Sequence, residues 1–425
     1  MRPNPVFTIA GKDHLKALHD MTRSISRENL MNEPKQLIEK EVEAMAETLF
    51  SVSEFLLHNP ETAYQEFKAC EHISEVLRRN GFAVEEGAGD VETAFLARPA
   101  GCKATRPAVA LLAEYDALPK IGHGCGHNLI AAAGVGAALA LTRVLGENAG
   151  GVALVGTPAE EGGGGKVRLI KGGVFANMDA AMMIHPGQYN IIGKGMLGRI
   201  KFTMAFHGRT AHAAGSPDQG INALDALVLA YNGINSLRQH LRPDARIHGI
   251  ITKGGDAPNI IPDYTEALFY VRAETIDYRE EIFNRVLNCA TSAAAAVGGS
   301  VDIHVHEPST DPMRHNHALQ DAFIANMGLL NIAVDKDPGR TGSSDMGNLS
   351  QYMPAIHPYL AICDDDIPSH STAFRDATVS ERGKAALLKG AKLLAMTAYD
   401  FLTSENLREQ ITKDFAAGMS SQGLH

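Results

Sequence analysis

Three short apolar runs that each end in polar residues limit most strongly how this chain can fold. The runs are Ala108–Ala113, Val152–Val155 and Ala180–Ile184, and they lead into Glu114, Glu160 and His185, respectively. Long helical patterns separate the first two runs, which predicts βαβ units and a mostly parallel sheet. Ligands of such sheets collect beyond the carboxyl ends of the strands. The sequence therefore predicts an α/β domain with a functional site at that edge.

A second pattern follows between residues 195 and 307. The predicted elements are a strand at Ile200–Phe206, a helix at Asn222–Leu241, strands at His248–Thr252 and Thr265–Ala273, a helix at Tyr278–Val297 and a strand at Ser300–His306. This β-α-β-β-α-β order is the signature of a ferredoxin-like α+β sandwich. We therefore expect a domain of residues 195–307 inserted between two parts of the first domain, residues 1–194 and 308–425.

The flanking segments are mostly helical in pattern. Helices are expected at Lys35–His58, Ala69–Asn80, His317–Gly328 and Ser380–Leu402, with a strand at Ile356–Ile362. The polar tail after Thr403 is expected to fray.

Composition excludes several classes of protein. A length of 425 residues fits about two or three domains. The net charge of −10 and the lack of Lys/Arg-rich blocks argue against nucleic acid and anionic membrane surfaces as partners. Leu129–Leu145 is apolar but short for a span and contains Arg143, so a buried helix is expected there. The five scattered cysteines and the absence of a signal-peptide pattern indicate a cytoplasmic protein without a disulfide framework.

The loop His123-Gly-Cys125-Gly-His127 alternates ligand-type side chains with glycines. Glycine permits the tight turns that bring two ligands of one loop to one ion. A thiolate with imidazoles suits Zn²⁺ and similar ions, although a glycine-rich connection with incidental histidines is the alternative.

A pair of carboxylates, Glu160 and Glu161, precedes four consecutive glycines. In a metal site one carboxylate can bind the ion while the other takes a proton from water. His185 and His370 are weak candidates singly, but with the other residues they would complete one or two coordination spheres. A cysteine nucleophile at Cys125 would leave the two carboxylates unexplained.

At these residues the chain resembles the M20 metallopeptidases, a family that includes aminoacylases, carboxypeptidase G and auxin-conjugate hydrolases. The resemblance extends over HGCGHN, TPAEEGGGGK, MIHP, AFHGRTAHAA, DAPNIIPDYTEALFYVRA, GSSDMGN and IPSHSTAF. It is strongest to the branch of p-aminobenzoyl-glutamate hydrolase subunits and β-alanyl-lysine dipeptidases. The resemblance implies a zinc-peptidase-like catalytic domain and an inserted ferredoxin-like lid that forms a homodimer or higher homo-oligomer.

The resemblance also implies roles for individual residues. The metal ligands would be Cys125, His127, Glu161, His185 and His370, with one or two Mn²⁺ or Zn²⁺ ions per subunit. Glu160 would be the general base, Asp116 a conserved acidic residue of the catalytic site, His212 an oxyanion donor to a neighbouring subunit, and Asn259 a residue near the substrate. The chain has Glu114-Tyr-Asp116 where the broader family has His-x-Asp, and Asn128 where the auxin-conjugate branch has Asp. Both departures bear on the number of bound ions.

The function expected from these residues is hydrolysis of a C–N amide bond in a small N-acyl, aminobenzoyl or dipeptide-type amino acid conjugate. Hydrolytic deamination of an electron-poor aromatic amine, as in a nitroanthranilate aminohydrolase, would use the same groups. A non-catalytic binding protein that retains the fold is the third alternative, and the presence of Glu160 with a full ligand set argues against it.

Overall fold

The computed structural model describes residues 33–339 and 342–421. The helices are α1 Glu33–Ala44, α2 Ala46–His58, α3 Phe67–Arg79, α4 His127–Leu145, α5 Gly165–Lys171, α6 Ala223–Leu237, α7 Ile276–Ala296, α8 His317–Leu329, α9 Met346–Tyr352, α10 Thr372–Ala377, α11 Glu381–Thr403 and α12 Glu405–Ser421. The strands are β1 Phe82–Glu86, β2 Phe95–Pro99, β3 Val109–Glu114, β4 Val152–Thr157, β5 Ala180–Met182, β6 His185–Gly187, β7 Gly198–His207, β8 Ala211–His212, β9 Arg246–Lys253, β10 Ile260–Ile261, β11 Tyr264–Ala273, β12 Ser300–Thr310, β13 Ala355–Ile356 and β14 Tyr359–Ala361.

A six-stranded sheet in the order β1-β2-β4-β3-β5-β13 forms the centre of the catalytic domain. The pairs β3–β4, β3–β5 and β5–β13 are parallel, whereas β1–β2 and β2–β4 are antiparallel. The prediction of a mostly parallel sheet is confirmed, and the three apolar runs are its adjacent central strands. Their carboxyl ends therefore lie at one edge of the sheet.

Helices cover both faces of this sheet. Along β3, Leu111 faces one apolar core and Leu112 faces the other, because successive strand residues point to opposite sides. Helix α4 packs so closely on β3 that a Cβ at Gly134 would lie 2.5 Å from the carbonyl oxygen of Leu112. By length and apolar composition, His127–Gly151 could cross a membrane, but most of it is buried inside the protein. It therefore packs as a core helix.

The inserted lid has the expected order β7-α6-β9-β11-α7-β12, with its strands in the antiparallel order β12-β7-β11-β9. Helices α6 and α7 pack on one face of this sheet over a separate core that includes Phe202, Phe206 and Phe269. An additional ribbon of β8 and β10 extends from the lid, with His212 paired to Ile260. Strand β12 continues to Thr310, three residues beyond the boundary expected at 307.

Other differences concern where elements are interrupted. The helix expected at Lys35–His58 is two helices, because Met45 has non-helical dihedral angles (φ −100°, ψ 5°). The strand expected at Ile356–Ile362 is broken into β13 and β14 around Pro358, which lacks the N–H that a strand pairing would use.

The expectation that the tail frays is wrong. Helix α12 packs against the catalytic domain, where Ile411 is buried and its carbonyl oxygen accepts a hydrogen bond of 2.9 Å from the side chain of Asn316. Apolar packing and several side-chain hydrogen bonds, including one from the backbone N–H of Ala318 to Asp414, thus hold a segment whose composition is largely polar.

Candidate active site and metal centre

The structure brings the predicted metal ligands together at the edge of the central sheet. In the described part of the chain, three groups of side chains have ligand atoms that all lie within 4.8 Å of one another. They are Cys125 with His127 and His185, Cys125 with Glu161 and His370, and His127 with Glu160 and Glu161. Because Cys125 and His127 each belong to two groups, the three groups form one continuous cluster.

The glycine between Cys125 and His127 lets one loop supply both ligands. Gly126 has a φ of 82°, in the left-handed region that favours glycine. A Cβ at this position would lie 2.3 Å from Cγ of Pro186, the residue after His185. The loop therefore approaches the His185 strand more closely than any side chain would allow.

Asp116 fixes two of the ligand segments. One carboxylate oxygen lies 2.9 Å from Nδ1 of His127, and the other accepts a hydrogen bond of 2.8 Å from the backbone N–H of Glu161. Burial opposes ionisation of Asp116, but His127 and these hydrogen bonds lower the pKa of its carboxyl below the ordinary value. Asp116 therefore acts through His127 and Glu161, as carboxylates that orient metal-binding histidines do.

His127 directs its other ring nitrogen into the cluster. With Nδ1 at Asp116, the buried Nε2 has no hydrogen-bond partner among the described residues. Burial disfavours its charged form, but Asp116 and Cys125 raise the pKa of His127 well above the ordinary value when no ion is present. A divalent cation bound at Nε2 would replace the proton that the charged imidazole carries there.

His185 is prepared as a neutral ligand. Its Nδ1 lies 2.7 Å from the carbonyl oxygen of Pro186, so Nδ1–H donates and Nε2 carries the free lone pair. Nε2 lies 3.6 Å from the sulfur of Cys125. Burial and the neighbouring His127 hold the pKa of His185 well below its ordinary value.

His370 enters the cluster from the loop before α10. Its backbone N–H donates a hydrogen bond of 2.8 Å to the carbonyl oxygen of Gly124, which ties this loop to the Cys125 loop. Its Nε2 lies 3.4 Å from Oε1 of Glu161, and its side chain is half exposed. Contacts between residues almost 250 positions apart therefore complete the cluster.

Glu160 is the candidate general base. Burial, followed by the charges of Glu114 and Glu161, raises the pKa of its carboxyl well above the ordinary value. A carboxylate with raised proton affinity is suited to take a proton from water and return it to a leaving group.

Glu66 supports the backbone before Glu160 and was not expected from the sequence. It is buried, and its carboxylate accepts hydrogen bonds of 2.9 Å from the backbone N–H of Ala159 and from the hydroxyl of Thr93. Ala159 has a φ of 61°, an unusual angle for alanine that this contact helps to hold. Burial and the neighbouring Asp116 raise the pKa of Glu66 to about 7.

Lys166 explains the departure at Glu114. Its fully buried ammonium contacts Glu114 Oε1 and lies 2.6 Å from Oδ1 of Asp345, and its backbone N–H donates to the other Asp345 oxygen. The second Glu114 oxygen lies 3.5 Å from Nε2 of His127. Glu114 thus joins a buried ion triad beside the cluster, at the position where the sequence departs from the His-x-Asp pattern expected from the resemblance. Lys166 directly follows the four glycines, but no motif in the sequence pairs it with Glu114 or Asp345.

The Gly162–Gly165 run allows close approach of the backbone. A Cβ at Gly165 would lie 1.8 Å from the carbonyl oxygen of Pro158, and one at Gly164 would lie 2.1 Å from Pro308 at the end of the lid. Only glycine fits between the catalytic strand end and the segment returning from the lid.

His123, the third ligand-type residue of its loop, is in none of the three ligand groups found in the described part of the chain. Burial and the nearby His127 lower its pKa to about 4, so it is neutral inside the protein.

His212 and Asn259 lie together on the lid ribbon. The carbonyl oxygen of Asn259 accepts a hydrogen bond of 3.0 Å from the N–H of Ala213. Nδ1 of the exposed His212 accepts from the N–H groups of Ala214 and Gly215 at 3.2 and 3.0 Å, so the imidazole proton is on Nε2. Within residues 33–339 and 342–421, no hydrogen bond or ion pair connects either side chain to the Cys125 cluster.

The donor set fits divalent ions. Nε2 of His127 and Oε1 of Glu161 are both buried without a hydrogen-bond partner in the described residues. Unpartnered buried polar atoms are rare and call for an ion or water. Burial raises the pKa of the Cys125 thiol above its ordinary value, so a metal is the group that would make it a thiolate. Sulfur, imidazole and carboxylate ligands together suit borderline transition ions.

Comparison with known proteins agrees with this geometry. Residues 110–400 match the model of the peptidase family M20/M25/M40. The chain belongs to this family. It is 37% identical over 408 residues to the mouse (Mus musculus) Xaa-Arg dipeptidase, covering 92% of this chain and 94% of the relative. It is 34% identical over 314 residues to one of the p-aminobenzoyl-glutamate hydrolase subunits of Escherichia coli, covering 69% of this chain and 64% of that protein.

Solved structures show the same fold. A dinuclear metal-binding peptidase of the M20 family from Bacillus subtilis has a TM-score of 0.64 at 20% identity and covers 83% of this chain and 98% of its own. An aminobenzoyl-glutamate utilization protein from Klebsiella pneumoniae has a TM-score of 0.63 at 18% identity and covers 86% of this chain and 99% of its own. Family and relatives together identify the chain as an amide-bond-cleaving enzyme.

Proposed function

We propose that this M20 enzyme is a metal-dependent hydrolase that cleaves the amide bond of a dipeptide or of an N-acyl or aminobenzoyl amino acid. The observation that carries this proposal is the cluster of Cys125, His127, Glu161, His185 and His370 with Glu160 beside it. The Xaa-Arg dipeptidases and the p-aminobenzoyl-glutamate hydrolase subunit among its relatives support this substrate class.

The five ligands would hold one or two divalent ions, with Mn²⁺ and Zn²⁺ the proposed candidates. Bound there, such an ion supplies a Lewis acid that polarises the scissile carbonyl and lowers the pKa of water. Glu160 would take the proton of the attacking water and deliver it to the leaving nitrogen. Asp116 and the carbonyl of Pro186 keep His127 and His185 in the tautomers that this site requires.

His212 would complete the site from a second subunit. Its Nδ1 is occupied by backbone N–H groups, so Nε2–H is free to donate to a developing oxyanion. Its exposure on the lid, with no polar contact to the described cluster of its own chain, supports action across a subunit interface.

The lid also offers a surface for a homodimer. Strand β9 is at the edge of the lid sheet, and its Ile250 and Ile251 are exposed. Val228 and Leu229 on α6 are exposed as well. An unpaired edge strand with apolar side chains favours pairing with another chain. Sedimentation at several protein concentrations tests this expectation, and a monomer throughout would contradict it. We propose a cytoplasmic location, which the five free thiols support because they fit a reducing compartment.

The decisive experiment is a mass-spectrometric screen of dipeptides, acyl-amino acids and aminobenzoates with purified enzyme loaded with Mn²⁺ or Zn²⁺. We expect a free amino acid as product, no activity after exhaustive chelation, and recovery on adding metal. Full activity in protein confirmed to be free of metal would contradict metal dependence. Release of ammonia in place of an amino acid would identify the reaction as deamination.

A further inference from the structure

Lys194 is a partly buried cation that forms no ion pair with a carboxylate in the described part of the chain. It lies between β6 and β7, in the segment that leaves the catalytic domain for the lid, and its ammonium is 4.0 Å from the centre of the Tyr359 ring. No carboxylate of the described residues lies within 4.0 Å of it. By contrast, the buried Lys166 and Lys392 each contact two carboxylates. Lys194 therefore differs from the other buried lysines in lacking an acidic partner.

Tyr359 places this cation beside the metal cluster. In the pairing of β14 with β6, Tyr359 is opposite His185, and the two rings are 4.7 Å apart. Nε2 of His185 in turn lies 3.6 Å from the sulfur of Cys125. The Tyr359 hydroxyl makes no hydrogen bond to any residue that the structure describes. One aromatic ring thus separates the Lys194 ammonium from a metal ligand.

The contacts of Lys194 do not compensate for its burial. The attraction of a cation to an aromatic face is weaker than the cost of desolvating an ammonium. Burial lowers the pKa of Lys194 below its ordinary value, and Asp337 and Cys125 oppose this shift. The Asp337 carboxylate lies beyond ion-pair distance of the ammonium. A ligand that brings a carboxylate to this position would neutralise the ammonium.

We propose that Lys194 and Tyr359 form a subsite that binds a carboxylate of the substrate next to the metal centre. This inference rests on the proposed function, whose amino acid substrates carry such a group. The ammonium pairs with the carboxylate, and the phenol hydroxyl donates a second hydrogen bond. Amino acid conjugates with a free carboxylate would then be preferred over their amides. The carboxylate can belong to the leaving amino acid or to the acyl group, and both arrangements use the same chemistry.

The test compares alanyl-arginine, alanyl-arginine amide and N-succinyl-arginine amide in metal-loaded enzyme. For Lys194→Met we expect KM to rise about 10- to 100-fold for the substrate whose carboxylate uses the subsite, because a charge-assisted hydrogen bond is lost. The KM of alanyl-arginine amide and the kcat values should change little, and Lys194→Arg should restore part of the preference. A rise limited to alanyl-arginine identifies the leaving group as the source, and a rise limited to the succinyl compound identifies the acyl group.

A matched control is Lys384→Met. Lys384, on α11, also lies over an aromatic ring, at 5.2 Å from the centre of the Phe50 ring, but its ammonium is paired at 3.3 Å with Glu54 on α2. This variant should keep the wild-type KM for all three compounds. A Lys194→Met enzyme that keeps the full preference for both carboxylates, with normal metal content, would overturn the subsite.

Binding separates failure of the subsite from failure of the proposed function. Calorimetric titration of alanyl-arginine and its amide into metal-loaded Glu160→Gln protein reports recognition without turnover. The subsite is supported if Glu160→Gln protein binds the acid more tightly than the amide and if this difference is lost in the Glu160→Gln, Lys194→Met double variant. This result would support the subsite even if the wild-type enzyme cleaves none of the compounds. Equal binding of acid and amide, in both the dipeptide and the succinyl series, contradicts it.

Discussion

Replacing Lys166 by methionine should destabilise the catalytic domain strongly. The lysine side chain is fully buried between Glu114 and Asp345, which are themselves 1% and 0% exposed. Burial would lower the pKa of this ammonium, but the two carboxylates raise it above its ordinary value. Methionine keeps the length and most of the volume of the side chain. The variant therefore removes the charge and leaves two carboxylates inside the protein.

The expected cost follows from that geometry. Removing one partner of a buried ion pair destabilises a protein by about 3–5 kcal/mol, because the remaining charge stays desolvated. An exposed pair provides the comparison. Arg79 and Glu75 on α3 are paired at 2.7 Å with most of the arginine in solvent. Arg79→Met should cost at most about 1 kcal/mol.

Urea unfolding of metal-free protein at pH 8 measures both variants without a contribution from metal binding. The triple variant Lys166→Met, Glu114→Gln, Asp345→Asn removes all three charges and should recover much of the loss. Burial already raises the pKa of Glu114, and loss of Lys166 should raise it further. The folded variant then keeps a proton that the unfolded chain releases, so its deficit should be smaller at pH 5 than at pH 8.

Two results would refute this reasoning. One is a Lys166→Met protein within about 1 kcal/mol of the wild type at pH 8, since an unpaired buried charge costs more than that. The other is a deficit that the triple variant does not reduce, which would assign the loss to packing.

The remaining predictions concern the carboxylates and the lid. Glu160→Gln should keep its metal and lose about 10²–10⁴-fold in turnover, whereas Glu161→Gln should lose metal affinity. If both variants keep stoichiometric metal and near-normal turnover, the division of roles between the two carboxylates is wrong. The pKa of Glu66 is raised to about 7 from 4.5, so the folded protein should lose about 3 kcal/mol of stability as the pH rises from about 4.5 to about 7. Glu66→Gln should flatten that dependence in urea titrations of metal-free protein, and an unchanged slope would contradict the assignment. Mixing inactive Glu160→Gln and His212→Ala subunits should restore part of the activity through dimers with one intact site; mixed dimers that form but remain inactive would count against action across the interface.

Much of the fold could be read from local patterns. The apolar runs before Glu114, Glu160 and His185 predicted parallel strands, and the order of elements between residues 195 and 307 predicted the lid. Both predictions are confirmed, because strand and helix periodicity reflect which faces are buried. The tail after Thr403 was predicted wrongly, since its helix is held by contacts with α8 and α11 that its own polar composition does not reveal.

The candidate metal ligands were also accessible from the sequence. Glycines beside Cys125 and His127, and a glycine run after Glu161, mark backbone that must turn tightly or approach another segment. The structure shows both requirements directly, at Gly126 and Gly165. Which residue types could bind a metal therefore followed from the sequence, and their convergence followed from the shared edge of a parallel sheet.

The surroundings of the cluster were decided only by the tertiary structure. Glu66 reaches Ala159 across 93 positions, Lys166 reaches Asp345 across 179, and Lys194 lies over Tyr359. None of these contacts has a periodic or motif signal, because each joins side chains from separate elements whose proximity depends on how the whole domain packs. The sequence by itself determined the candidate ligand types and the order of the elements. The protonation of Glu160, the charge balance at Glu114 and the lack of an acidic partner for Lys194 among the described residues depend on burial and distance, which exist only in the folded chain.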